Sequence, residues 1–132
     1  LPEPIRERVI EHLTDPDQFW GEYAIPSVAR NDPHYAPDRM WRGPVWVNIN
    51  YIFIEALRQV GEHDLAQTLL EQTMDLIMSQ PGVFEYYHAE TGEPPPAAAA
   101  VFGWTAAVFI DLAIQASRDE AASAGGSHDG AG

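Results

Sequence analysis

Along residues 4–14, PIRERVIEHLT, the apolar side chains Ile5, Val9 and Leu13 recur every four positions with charges between them. That spacing lines them up on one face and predicts an amphipathic helix. Residues 15–40 carry four prolines and no sustained period, which predicts a long ordered loop. Loops of that length tend to carry function, and Phe19, Trp20, Tyr23 and Tyr35 predict that this one is packed down. A second helix is expected over 44–60, with Pro44 as its first residue and Gly61 as a left-handed cap. Val45, Trp46, Val47, Ile49, Ile52, Phe53, Ile54 and Leu57 make it apolar on nearly every side, the mark of a helix surrounded by neighbours. Asp64 with Gln67 has the spacing of a capping box and opens a third helix using Leu65, Leu69, Leu70, Thr73 and Ile77. That helix stops before Pro81-Gly82; a loop then leads to a last, largely apolar helix over 102–117. Residues 118–132, RDEAASAGGSHDGAG, are small and polar and predict a disordered tail.

The pattern is all-α, with two of its four helices too apolar for the chain to cover alone. Alternation of buried and amphipathic helices fits stacked helical hairpins, so residues 1–117 are expected to be one section of a larger helical assembly. Burial against another copy of the chain, a homo-oligomer, is the alternative.

Composition narrows the partners. With 132 residues, 20 Asp+Glu against 7 Lys+Arg and a net charge of −13, the chain offers no basic face for nucleic acid or for anionic lipid. The longest apolar run, 101–116, is broken by Asp111 and Gln115 and is too short and polar to span a bilayer. Absence of cysteine removes disulfides and thiolate metal sites. The expected location is cytoplasmic, with export left open. The chain opens on Leu1, which suggests processing or a longer polypeptide. Its histidines, at 12, 34, 63, 88 and 128, show no ligand spacing, so no metal and no cofactor is expected.

Two stretches can carry chemistry. MWRGPVWVNINY (40–51) sets Trp41, Arg42, Trp46 and Asn48 around Gly43-Pro44. Flat indoles stack on sugar rings, and Arg or Asn bonds hydroxyls or a carboxylate. An equally open reading puts both indoles in the core, with Arg42 paired to a structural acid. VFEYYHAETGEP (83–94) embeds Glu85 among Phe84, Tyr86 and Tyr87. A carboxylate among rings is partly desolvated and suited to moving a proton; the competing reading is a carboxylate bonded to a tyrosine or to Arg42. Glu90 and Glu93 flank the turn at Gly92 and read as solvated.

These stretches, with YAIPSVARNDPHY upstream and FGWTAAVFIDL downstream, resemble the C-terminal part of glycoside hydrolases with an (α/α)6-barrel catalytic domain. The similarity is to glycoside hydrolase family 63 and the mannosylglycerate and glucosylglycerate hydrolases, and it runs over residues 21–112. It implies an inverting hydrolase of α-glycosidic bonds acting on a small carbohydrate, whose acid and base stand about 6.5–9.5 Å apart. By position in FEYYHAETGE, Glu85 matches the general base. Trp41, Arg42, Gly43, Trp46, Asn48 and Tyr87 make up the candidate substrate-binding set, Gly43 allowing close backbone approach. Met40, where the family commonly has tyrosine, and EPPPAAAAVFG before the last helix depart from the pattern. The general acid of the family is an aspartate in the earlier half of the barrel, upstream of this chain. The resemblance therefore implies that the N-terminal part of the barrel, in the same or a separate chain, is a necessary partner and that these residues alone hydrolyse nothing. The contrasting expectation is a non-catalytic carbohydrate-binding or structural helical module.

Overall fold

A computed structural model describes residues 2–125. The first helix, α1 (Glu3–Thr14), buries only Leu13, and leaves Ile5 and Val9 exposed on the same face. The chain then runs without regular structure to α2 (Val47–Gln59), turns tightly into α3 (His63–Met78), and reaches α4 (Gly103–Gly125) through a second irregular segment. Among the described residues there are no strands, only isolated antiparallel bridges.

Two helix starts differ from the sequence pattern. Pro44 does not open α2. Val45 instead exchanges both backbone hydrogen bonds with Tyr87, donating at 2.8 Å and accepting at 3.0 Å, while Ser27 N–H donates to the Pro44 carbonyl at 3.0 Å. This three-segment pairing holds residues 44–46 extended, so the helix begins one turn later, with Ile49 and Asn50 N–H donating to the Trp46 carbonyl. In α3 the expected capping box does not form. Asp64 already lies within the helix, its N-cap Glu62 makes no side-chain cap bond, and Gln67 donates to Glu71 at 2.8 Å instead. Gly61 does take the left-handed conformation expected of it, with φ +86°, which lets α2 and α3 fold back as a hairpin.

The hairpin packs along its length, and α4 lies against both helices. Leu13, Ile25, Ile54, Leu57, Leu69 and Leu112 form one buried cluster. A second, Val45, Val47, Leu76, Ile77, Tyr87 and Ala89, lies under the two irregular segments and gives them a floor. The helices are less enclosed than their composition suggests: Ile52 on α2 and Trp104, Ile110 and Ile114 on α4 are exposed. Past residue 117, where the sequence pattern predicts a disordered tail, α4 continues to Gly125; the alanines at 121 and 122 are strong helix formers. The rest of that expected tail, 126–132, lies outside the described residues. No described helix is long and apolar enough to cross a membrane.

Candidate active site

The two irregular segments meet where Val45 pairs with Tyr87 and Ala89 N–H donates to the Pro37 carbonyl. Trp41, Arg42, Gly43 and Trp46 lie on the first segment, Glu85 and Tyr87 on the second, and Asn48 in the first turn of α2. Trp41 and Trp46 are stacked face to face, ring centroids 3.8 Å apart and planes within 7°. Trp46 is buried at 2 % exposure, while Trp41 keeps 48 % of its surface open. One indole is thus core and the other presents a free face, so the reading that puts both indoles in the core does not hold. Trp46 lies in turn against Tyr86 at 5.2 Å, tilted by 30°. The result is a continuous run of three aromatic rings, ending in solvent at Trp41.

Trp41 takes a left-handed backbone conformation, φ +57°, which costs a non-glycine residue about 1–2 kcal/mol. Such a residue persists only where its surroundings dictate it. The immediate constraint is a tight turn: Arg42 N–H donates to the Arg39 carbonyl at 2.8 Å, and Ala36 N–H to the Arg42 carbonyl at 2.7 Å. Gly43 follows because nothing larger fits. A methyl group there would stand 2.6 Å from the Ala36 carbonyl oxygen and 2.9 Å from the Tyr35 ring. Its N–H donates to the Ser27 hydroxyl at 3.1 Å. Arg42 is exposed, and its guanidinium touches only the His34 carbonyl, at 3.4 Å. Among the described residues no carboxylate pairs with it, so the structural-acid reading does not hold.

Glu85 is half-buried on the partner segment. Its N–H donates to the Ala99 carbonyl at 2.9 Å, and its carboxylate accepts only a long bond, 3.4 Å, from Ala99 N–H. The carboxylate is therefore fixed at its backbone and little engaged at its oxygens. Burial pushes the Tyr86 hydroxyl above its ordinary pKa, and the charges of Glu85 and Asp38 add to the shift. Glu85 immediately precedes Tyr86, the last ring of the run, in the chain.

Tyr87 belongs elsewhere. It is wholly buried, its hydroxyl accepts Phe84 N–H at 3.2 Å, and its ring supports Phe84 edge-on. It forms the floor behind the wall, whereas Tyr86, also buried, is the ring that joins the tryptophans. Asn48 is half-buried in the first turn of α2. The amide that organises this corner is Asn50, fully buried: it accepts Ile25 N–H at 3.3 Å and donates to Thr73 Oγ1 at 3.1 Å, tying the upstream segment to α2 and α3. Glu90, which reads as solvated from sequence, accepts bonds from both Tyr35 and Arg30. A lone amide in the middle of an apolar helix was a signal for Asn50; nothing local signals the partners of Glu90.

Beside Trp41 lies an apolar groove of about 470 Å³, lined by Val9, Leu13, Phe19, Ile25, Trp41 and Phe53 among others. Glu85 is not in its lining. This groove therefore does not bring Trp41 and Glu85 together.

A family model described as the mannosylglycerate hydrolase MGH1-like glycoside hydrolase domain matches residues 1–105. The chain belongs to that family. It is 39% identical over 101 residues to a mannosylglycerate hydrolase of Thermus thermophilus, matching 74% of this chain and 24% of the relative. To a glucosylglycerate hydrolase of Mycolicibacterium hassiacum it is 32% identical over 112 residues, 80% of this chain and 24% of that one. The crystal structure of a GH63 mannosylglycerate hydrolase from Thermus thermophilus in complex with glucose superposes with a TM-score of 0.69 at 30% identity, covering 84% of this chain and 25% of that chain. This family member thus spans about a quarter of the length of those relatives. Its hairpins correspond to part of an (α/α) barrel.

Proposed function

We propose that this chain supplies the water-activating side of an inverting α-glycoside hydrolase, with Glu85 as general base and Trp41 as the stacking platform for the sugar. The carrying observation is the ring run from exposed Trp41 through Trp46 to Tyr86, the residue that follows Glu85 in the chain. Membership of a glycoside hydrolase family supports the same reading. A pyranose laid on the free face of Trp41 buries its C–H face on the indole and leaves its hydroxyls to polar neighbours. Arg42, exposed and unpaired with any acid among the described residues, offers a fork of donors to those hydroxyls or to a carboxylate on the aglycone. Gly43 keeps the backbone low enough for this approach, Asn48 offers a half-buried amide in the first turn of α2, and Tyr87 lies in the buried floor behind.

In the proposed step the Glu85 carboxylate takes a proton from water as that water attacks the anomeric carbon. The glycosidic bond breaks on the opposite face, and the leaving oxygen takes a proton from an acid contributed by the remainder of the barrel. The product carries the opposite anomeric configuration. The first substrates to test are mannosylglycerate and glucosylglycerate, after which two of the relatives are named. The remainder of the barrel, in the same polypeptide or a separate one, is the partner this reading requires; the apolar side chains left exposed on α1 and α4 are the surfaces it would cover.

Assembled with the rest of the barrel, Glu85→Gln should keep sugar affinity while turnover falls about 10²–10⁴-fold, the usual worth of general-base assistance. Turnover close to that of the parent removes Glu85 from the mechanism. Hydrolysis by the 132-residue chain alone would overturn the need for a partner, and binding without cleavage by the assembled barrel would favour a carbohydrate-binding module.

A further inference from the structure

Five positions beyond Glu85, a second carboxylate meets a different environment. Glu90 Oε1 accepts a hydrogen bond from the Tyr35 hydroxyl and another, at 3.0 Å, from Arg30 Nε. Both donors come from the segment that carries Trp41, 55 and 60 positions away in sequence. The Arg30 side chain is only 15 % exposed. Its guanidinium lies so close over Gly21 that a methyl group there would stand 2.2 Å from Nη2. The Tyr35 ring in turn packs under Gly43, two positions from Trp41. Between these points the backbone adds one direct bridge, Ala89 N–H to the Pro37 carbonyl at 3.1 Å. Electrostatics agree with the geometry: burial would raise the Glu90 carboxyl, but the bonds from Tyr35 and Arg30 outweigh it and hold it below its ordinary value.

We propose that the Arg30–Glu90–Tyr35 cluster is a positioning clamp that sets the separation of the Trp41 platform from the Glu85 carboxylate. The inference rests on the reading of Trp41 as sugar platform and Glu85 as base. The clamp joins the two irregular segments to each other, and none of its three side chains lies on a helix. Its bonds are charge-assisted, which makes them stronger and more directional than neutral ones. Trp41 takes its left-handed backbone conformation at the end of the clamped segment, and a conformation of that kind relaxes when its surroundings loosen. Glu90 touches neither sugar nor water in the reaction; it acts through the loop it holds.

The test uses two readouts. In the assembled barrel, Glu90→Ala should raise KM about tenfold, the combined loss of the two partly exposed charge-assisted bonds from Arg30 and Tyr35. Glu90→Gln, which still accepts from both donors, should restore most of that loss, and Tyr35→Phe should fall between. An unchanged KM in Glu90→Ala, with kcat lowered only by the fraction of folded protein, would reduce the cluster to a structural one and overturn the proposal. The second readout needs no activity. In the 132-residue chain, the near-ultraviolet circular dichroism that Trp41→Phe removes should also be lost in Glu90→Ala and kept in Glu90→Gln. Its retention in folded Glu90→Ala would contradict the clamp, and Tyr35→Phe serves if Glu90→Ala fails to fold. Loss of that signal together with full turnover in Glu85→Gln would sink the base assignment and leave the clamp standing; the reverse pair would do the opposite.

Discussion

The α2–α3 hairpin and the wall of loops beside it hold their shape by opposite means. In the hairpin, Ile54, Leu57, Leu69 and Leu70 are buried against one another at helical spacing, and the turn between the helices is short. In the wall, single polar groups join distant segments: Asn50 reaches Ile25, Ser27 reaches Gly43, and Glu90 reaches Arg30 and Tyr35. Hydrophobic burial is non-directional and tolerates small shifts. Hydrogen bonds fix distance and angle. The wall is therefore built from the second kind of contact, on a floor built from the first, which suits the proposed role of presenting an indole and a carboxylate in a set relation.

The contrast can be broken from either side. Leu69→Ala removes a fully buried side chain from the hairpin and should cost about 2–5 kcal/mol, since surrounding helices close only part of the cavity; urea unfolding followed by far-ultraviolet circular dichroism measures it. Asn50→Leu keeps the volume but strands the Ile25 N–H in the interior. The expected cost is about 1–3 kcal/mol, the penalty of a buried polar group without a partner. Amide exchange should then accelerate at Ala24 and Ile25 before it does in α3; equal acceleration in both would erase the distinction between floor and wall.

The smallest effect is a dependence on acid. Glu90 has its carboxyl held below its usual 4.5 in the folded chain. A depressed folded pKa gives stability that is present above the unfolded pKa and is lost as pH falls through the folded one. The difference in Tm between the parent chain and Glu90→Gln should therefore be present at neutral pH and shrink steadily below pH 4.5. A difference that grows in acid would have the wrong sign for this clamp.

Sequence legibility follows the same division. Four helices were readable because helix formation and burial are local and periodic, and Gly61 marked the hairpin turn. The gathering of Trp41 and Trp46 around Gly43-Pro44 was readable, as was a close backbone approach at Gly43; the stacking of the two rings on each other was not. Pro44 misled, because its preference for a first helical turn was overridden by the exchange of Val45 with Tyr87, a partner far along the chain. Asp64 and Gln67 had the spacing of a cap without its position. Tyr86 and Tyr87 could not be told apart in sequence. Adjacent residues in an extended segment point to opposite sides, and both rings are buried; only contacts with distant segments decide which joins the tryptophans and which the floor. Glu90 is exposed, as its polar company suggested; its bonds from Arg30 and Tyr35 went unread because those partners lie in another segment, and no local pattern reports them.

The central claim is that Glu85 activates the water that attacks a sugar held on Trp41. Glu85→Ala in the assembled barrel, supplied with an α-glycoside in the presence and absence of azide, tests it most directly. Removing the carboxylate leaves room for a small anion that needs no base to attack. The account predicts that turnover collapses without azide and returns with it, giving a glycosyl azide of inverted configuration. Hydrolysis at the parent rate without azide, or a product that keeps the configuration of the substrate, would contradict it.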